Sequence, residues 1–178
     1  MFTRKVDEDI QLALVQPSFA VGYVALAKAN YKQLEQWLAW PPHSKTEADF
    51  MGFVERCLQD YAAGKSMTCG IIYQNQLVGN VSFNTINHAL KKVEIGYWLA
   101  ASAQGNGVIT RVCKHLIDMA FDEMDMQKVQ VSAAEGNAPS RAVCERLGMT
   151  LEGIITHAEN LNGRIVNHAV YGLHKGAV

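Results

Sequence analysis

The sequence carries no charge surplus: 16 Lys and Arg against 17 Asp and Glu leave a formal net charge of −1 over 178 residues. Its charges are scattered, so the basic stripe expected of a direct nucleic-acid binder is missing. No long apolar run follows Met1-Phe2-Thr3-Arg4-Lys5-Val6-Asp7-Glu8-Asp9, so neither a signal peptide nor a membrane anchor is expected there. Cys57, Cys69, Cys113 and Cys144 form no Cys-x-x-Cys pair. Without a secretory signal, reduced thiols in the cytoplasm are the expectation. His43, His88, His115, His157, His168 and His174 make no His-x-x-x-His pair with a carboxylate, and no metal is expected. There is no repeat, low-complexity tract or Pro/Gly-rich linker, so residues 1–178 read as one domain long enough to bury a core.

What is present is a mixed pattern of strand and helix periods. Ile10 to Leu14 alternates as a strand, and Pro17-Ser18 introduces a helical stretch towards Tyr31. Pro41-Pro42 breaks the chain after Gln36-Trp37-Leu38-Ala39-Trp40. Ser44 and Thr46 are candidate caps for a helix over Glu47–Ala63, with Gly64 as its stop. Met67–Tyr73 and Leu77–Asn84 suggest a hairpin turning at Asn75-Gln76, and Lys92–Leu99 a further strand. Gly96 within it predicts a bulge or a close backbone approach by a ligand. Ile109, Val112, Cys113, Leu116, Ile117 and Ala120 give a buried helical stripe up to about Glu123. A strand over Lys128–Ala134, a helix over Asn137–Leu147 and two strands flanking Asn162-Gly163 complete a mixed α/β sheet with helices on its faces.

Two segments have the makings of a site. Gly105 and Gly107 lie between a strand and an amphipathic helix, where missing side chains let backbone N–H groups converge beside a positive helix end. Such a turn cradles a pyrophosphate, and Asn106 between the glycines tolerates an unusual backbone angle. A tight turn with no ligand would look the same. A dinucleotide loop is excluded because Thr110 replaces the third glycine, and a P-loop because Val108 and Ile109 stand where Lys-Ser/Thr is required. In the second segment Asn137 and Ser140 lie three apart at a helix mouth and can face one cleft. A simple helix cap at Asn137 is the plainer reading, and Arg141 and Arg146 read more simply as solvated helix residues than as phosphate ligands.

Gln104, Gly107 and Ile109, followed by Asn137, Ser140 and Leu147-Gly148-Met149, resemble the two motifs of the GNAT superfamily of acetyltransferases in order and spacing. Ile109 stands where that family usually has a small residue. Gln36-Trp37-Leu38-Ala39-Trp40-Pro41, Glu94-Ile95-Gly96-Tyr97-Trp98-Leu99 and Glu159-Asn160-Leu161-Asn162-Gly163 resemble the RimL-type branch, so the likeness covers nearly the whole chain. It implies a GNAT fold, a mixed central sheet in which the strand ending Trp98-Leu99 splays from Lys128–Ala134. It also implies acetyl-CoA as co-substrate and direct transfer to an amine, the N-terminal amine of a ribosomal protein in the RimL-type enzymes. Cofactor contacts would fall on Trp98, Leu99, Gln104, Gly105, Asn106, Gly107, Val108, Ile109, Thr110, Asn137 and Ser140. The pantetheine arm would pair with the open strand edge, and a backbone N–H near Leu99 would polarise the thioester carbonyl.

The same resemblance maps the base to Glu159 and the acid that protonates the leaving sulfur to Ser140. Glu94, on the strand where many relatives place a catalytic glutamate, competes as base, and so does water alone. Ser140 is a poor proton donor by pKa, so hydrogen bonding to the sulfur is its other role. Trp37 and Trp40 are candidate walls of the acceptor cleft, although aromatic residues are more often core. Relatives of the RimL type tend to be dimers, so a homodimer is expected. Two other functions fit the residues, transfer to a small amine such as a polyamine or antibiotic, and a silent acyl-CoA-binding module.

Overall fold

Alternating apolar residues and a few turn residues set the architecture. The computed structural model describes residues 3–176. In chain order the elements are β1 (Thr3–Lys5), β2 (Ile10–Leu14), α1 (Phe19–Ala29), α2 (Tyr31–Glu35), α3 (Glu47–Ala62), β3 (Met67–Tyr73), β4 (Gln76–Asn87), β5 (Lys92–Leu99), a 3-10 turn at Ala101–Ala103, α4 (Val108–Asp122), β6 (Lys128–Ala134), α5 (Ala138–Arg146), β7 (Thr150–Leu161) and β8 (Arg164–His174). The strands form one eight-stranded sheet, β1-β2-β3-β4-β5-β6-β8-β7. Only β5 and β6 are parallel neighbours; the other pairs are antiparallel. This is the mixed α/β sheet the sequence implies.

Both sheet faces are covered. Val112, Leu116 and Ala120 of α4 belong to one buried cluster with Ile71, Val81, Phe83, Val93, Ile95, Val129 and Val131 of the strands. Phe19 and Tyr23 of α1 and Phe50 and Val54 of α3 form a second cluster, against which Trp40 and Trp98 pack. Thr46 caps α3 in a reciprocal box with Asp49, which singles it out from Ser44.

Four local readings change. The β3–β4 turn lies at Gln74 and Asn75, with φ 49° and 64°, one residue earlier than expected. The cue was Asn75, and glutamine is an uncommon residue for that backbone region. The first helix breaks at Asn30, whose side chain donates to Leu26 O at 2.8 Å and accepts from Ala101 N at 2.9 Å. Gly96 pairs regularly with Ser82, while the register shift of this strand pair lies in β4 between Phe83 and Thr85, opposite Ile95 and Glu94, and β4 runs on to Asn87. Gly96 leaves room for the Asn84 amide, which a Cβ there would overlap, so its neighbour is a side chain of the protein. The exposed edge strand β1 has no apolar alternation to announce it.

Parallel pairing of β5 with β6 covers four positions only, from Lys92↔Lys128 to Ile95↔Val131. Beyond them β5 stays with β4 as far as Leu99↔Gly79, and β6 with β8 as far as Ala134↔His168. The two strand ends therefore part and leave a gap in mid-sheet.

Candidate active site

A cavity of about 1220 Å³ runs through this gap and is lined from both faces of the sheet. Ala100 N donates to Val78 O at 2.8 Å, so the amide of Ala100 faces β4. Amides alternate along a strand, which turns the N–H groups of Tyr97 and Leu99 into the gap. Leu99 O accepts from Gln33 Nε2 at 3.3 Å and Gln104 Nε2 at 3.2 Å. Gln33 Oε1 is buried with no hydrogen-bond partner among the described residues.

At one end of the cavity lies the turn into α4. Gly105 and Gly107 have φ of 78° and 67°, and a Cβ on either would meet nothing within 4 Å. Gly107 caps α4 without a side-chain hydrogen bond, and the first helical bond runs from Arg111 N to Gly107 O at 3.1 Å. The amides of Val108, Ile109 and Thr110 are thus left for an external acceptor. Together with the helix dipole they fit a pyrophosphate such as that of acetyl-CoA. Arg146 reaches this end, its Nε 3.3 Å from Thr110 Oγ1. Asn106 differs from expectation: its φ is not positive, and its amide instead braces the turn on Ala103 O and Gln104 O at 3.3 and 3.1 Å. Arg141 is taken up by Tyr171 OH and Glu135 O, both at 3.0 Å.

Towards mid-sheet, Asn137 Oδ1 accepts from Ser140 N at 3.2 Å, the capping role of the plainer reading, and both residues also line the cavity. Ser140 Oγ lies 2.8 Å from Tyr97 OH. Burial, first of several causes, pushes the Tyr97 phenol well above its ordinary range. The sequence motifs assign Tyr97 no role of its own; its hydroxyl reaches the α5 mouth only because the fold brings that helix over β5.

Glu94, Glu159, Trp37 and Trp40 all line the same cavity. Glu159 Oε2 is 2.9 Å from His168 Nε2, a partner the motifs did not point to. A signal was available. The hairpin pairs Leu161 with Arg164 and Glu159 with Val166, so alternation sets His168 diagonally across from Glu159 on the same face. The β7 register shifts between Ile155 and Glu159, where His157 adopts φ 52° and its N–H donates to Asn167 Oδ1 at 3.1 Å. Trp40 stacks edge-on to Phe50 at 5.8 Å and lies 5.6 Å from Trp98, so it is both packed and cavity-lining. Trp37 carries the Arg164 guanidinium 5.5 Å over its ring.

All four cysteines are free. Burial pushes the Cys69 and Cys144 thiols up to about 12 and raises those of Cys57 and Cys113. Such thiols are poor nucleophiles, consistent with direct transfer to the amine. No metal-binding cluster of three His, Cys, Asp or Glu residues occurs among the described residues, and no described helix is long and apolar enough to cross a membrane.

The family model for the acetyltransferase (GNAT) domain matches residues 11–150. This chain belongs to the GNAT acetyltransferase family. YdaF of Bacillus subtilis (strain 168) is 33 % identical over 176 residues, 98 % of this chain and 96 % of its own length. Among solved structures, the microcin C7 self-immunity acetyltransferase MccE, in complex with acetyl-CoA and AMP, superposes with a TM-score of 0.93 at 32 % identity, covering 96 % of this chain and 94 % of MccE. RimL, a ribosomal L7/L12 alpha-N-protein acetyltransferase in complex with coenzyme A, gives a TM-score of 0.93 at 27 % identity, with 97 % and 98 % covered. Family, fold and a cavity that fits acetyl-CoA agree: this GNAT protein is an acetyl-CoA-dependent N-acetyltransferase.

Proposed function

We propose that the chain acts as one acetyltransferase domain on the N-terminal α-amine of a protein, a ribosomal protein in the first instance, and hence in the cytoplasm. The observation that carries this reading is the likeness to RimL along 97 % of the chain. The chemistry is compatible. An α-ammonium has a reference pKa of about 7.7–8.0, so a usable fraction is neutral near pH 7, whereas a lysine at about 10.4 is almost wholly charged. The amides of Val108 to Thr110 with Gly105 and Gly107 hold the pyrophosphate, assisted by the Gln104–Asn106 bracing. The Leu99 N–H polarises the thioester carbonyl, Asn137 and Trp98 flank the pantetheine, and Ser140 hydrogen-bonds the departing sulfur. Trp37 and Trp40 wall the acceptor side. Glu159, Glu94 and water compete as the group that accepts the amine proton. Positioning amine and thioester together supplies much of the rate.

A second reading, transfer to a small cationic amine, is favoured by the three carboxylates Asp60, Glu94 and Glu159 along the cavity. Free-thiol release across N-terminal peptides, lysine peptides and polyamines separates the two. Higher kcat/KM for a peptide α-amine is expected; preference for a polyamine moves the function to small-molecule modification. Acetyl-CoA binding in calorimetry with no turnover of any amine would leave a silent binding module.

The chain is also proposed to work as a homodimer. Leu151, Ile154, Ile155 and Ile165 are exposed on the β7–β8 hairpin, and β7 is the sheet edge. Unpartnered apolar side chains beside an open edge suit a self-complementary contact. Light scattering at micromolar concentration is expected to give twice the mass of one chain; the mass of one chain overturns the dimer.

A further inference from the structure

The Glu159–His168 pair holds two groups able to take a proton, and the motif-based reading uses only the carboxylate. Their nearest atoms, Glu159 Oε2 and His168 Nε2, are 2.9 Å apart, and both side chains are part-buried, 34 % and 23 % exposed. Both line the cavity. His168 pairs with Ala134 at the end of β6, beyond Val131, the last position at which that strand pairs with β5. The pair therefore stands at the mouth of the gap that receives the acyl donor.

We infer that the amine proton is accepted by the His168 imidazole, with Glu159 as the positioning residue that fixes its tautomer; this rests on the N-acetyltransferase reading of the site. A carboxylate has lone pairs and no proton to donate, so the 2.9 Å contact requires the hydrogen on His168 Nε2. With Nε2 committed, the basic nitrogen left for the amine is Nδ1. General bases work best when their pKa lies near the operating pH, a demand that imidazoles as a class, near 6.5, meet better than carboxylates near 4.3. The arrangement repeats the division of labour in which a carboxylate orients a histidine and the histidine moves the proton.

An ammonium proton passes to His168 Nδ1 and on to water. The neutral nitrogen forms the new N–C bond with the acetyl carbon while the C–S bond breaks. The second nitrogen proton ends on the leaving sulfur, by way of the Ser140 hydroxyl. Net products are the acetamide, the free thiol and one proton. The charged and titratable groups on the strands around His168 are Glu159 and His157 on β7, Glu94, Lys92 and Tyr97 on β5, Lys128 on β6 in ion pair with Glu152 of β7, Glu135 after β6, joined to Asn167, and on β8 Tyr171, His174 and Arg164, the last over Trp37. Of these, only Glu159 is in hydrogen-bond contact with the imidazole among the described residues.

The test is the pH dependence of kcat for wild type, His168→Gln and Glu159→Gln on one peptide, with melting temperatures to confirm folding. The peptide's own titration is common to all three enzymes and cancels in rate ratios. His168→Gln is expected to lose about 10²-fold or more in kcat at neutral pH. The ratio of wild-type to His168→Gln rates should fall with falling pH, because a ring that already carries both protons can accept none from the amine. Glu159→Gln should slow the reaction yet keep an acid limb. An unchanged limb in His168→Gln, or its loss in Glu159→Gln, overturns the assignment to His168. Should wild type turn over no amine, the N-acetyltransferase reading falls instead. Nitrogen NMR on the wild-type protein tests the pair by itself: the neutral Nε2–H tautomer of His168 is expected, and the Nδ1–H tautomer refutes the proposal.

Discussion

Replacing Gly107 with valine should weaken acetyl-CoA binding by about 10²-fold while the protein remains folded. Gly107 has φ 67°, a backbone region that costs an L residue roughly 1–2 kcal/mol and a β-branched one more. A free chain relieves that strain by leaving the left-handed conformation, and the cost returns when the turn must re-form around the pyrophosphate. The added side chain also projects into the space that is open within 4 Å of the Cβ position, where the ligand approaches the amides of α4. Charge-assisted hydrogen bonds to those amides are worth about 1.5–3 kcal/mol each. Strain and one lost contact together come to about 3 kcal/mol, or two decades in affinity. Calorimetry with acetyl-CoA reads this directly. An unchanged Kd in the valine variant would remove the turn from the cofactor site.

The second large effect is on the fold. Tyr23 is fully buried and meets Phe19, Phe50, Phe53 and Trp98 with ring centroids at 6.0, 5.8, 6.2 and 5.7 Å. Its hydroxyl accepts from Asn80 Nδ2 at 3.0 Å, and Asn80 is itself 5 % exposed. Tyr23→Ala opens a cavity that costs about 3–5 kcal/mol and leaves the Asn80 amide unpaired, about 1–3 kcal/mol more. Against a typical total of 5–15 kcal/mol, and at roughly 2–4 °C per kcal/mol for a chain of this size, melting should fall by about 10 °C or more. Tyr23→Phe keeps the packing and should show only the smaller part. A melting point within about 3 °C of wild type in the alanine variant would show that α1 is not anchored through this side chain.

The parts of the site visible from sequence are those whose geometry is local. Gly105 and Gly107 announce their own backbone, and Asn137 with Ser140 are bound together by one cap. The open β5 edge was expected from the resemblance, and no periodicity in Lys92–Leu99 could reveal that pairing stops after Ile95. His168 and Tyr97 went unnoticed for a different reason. Each side chain gains its meaning from a neighbour on another strand or helix, and Tyr97 bears an apolar ring that fits an apolar face equally well. The displaced turn at Gln74-Asn75 has the same origin, since the hairpin register is set by the pairing of whole strands and the turn residues follow. The fold class was therefore easier to read than the wiring among its polar side chains.

The ends of β5 and β6 are unpaired with each other. A chain that keeps two strand edges apart forgoes the pairings that would have closed them, and a ligand that bridges the opening supplies what the polypeptide omits. Any ligand that binds only the folded form raises its free energy of unfolding, by about 2.7 kcal/mol at a hundred times its Kd. The fold is thereby coupled to its acyl donor, which completes the sheet where the polypeptide leaves it open and steadies it in doing so.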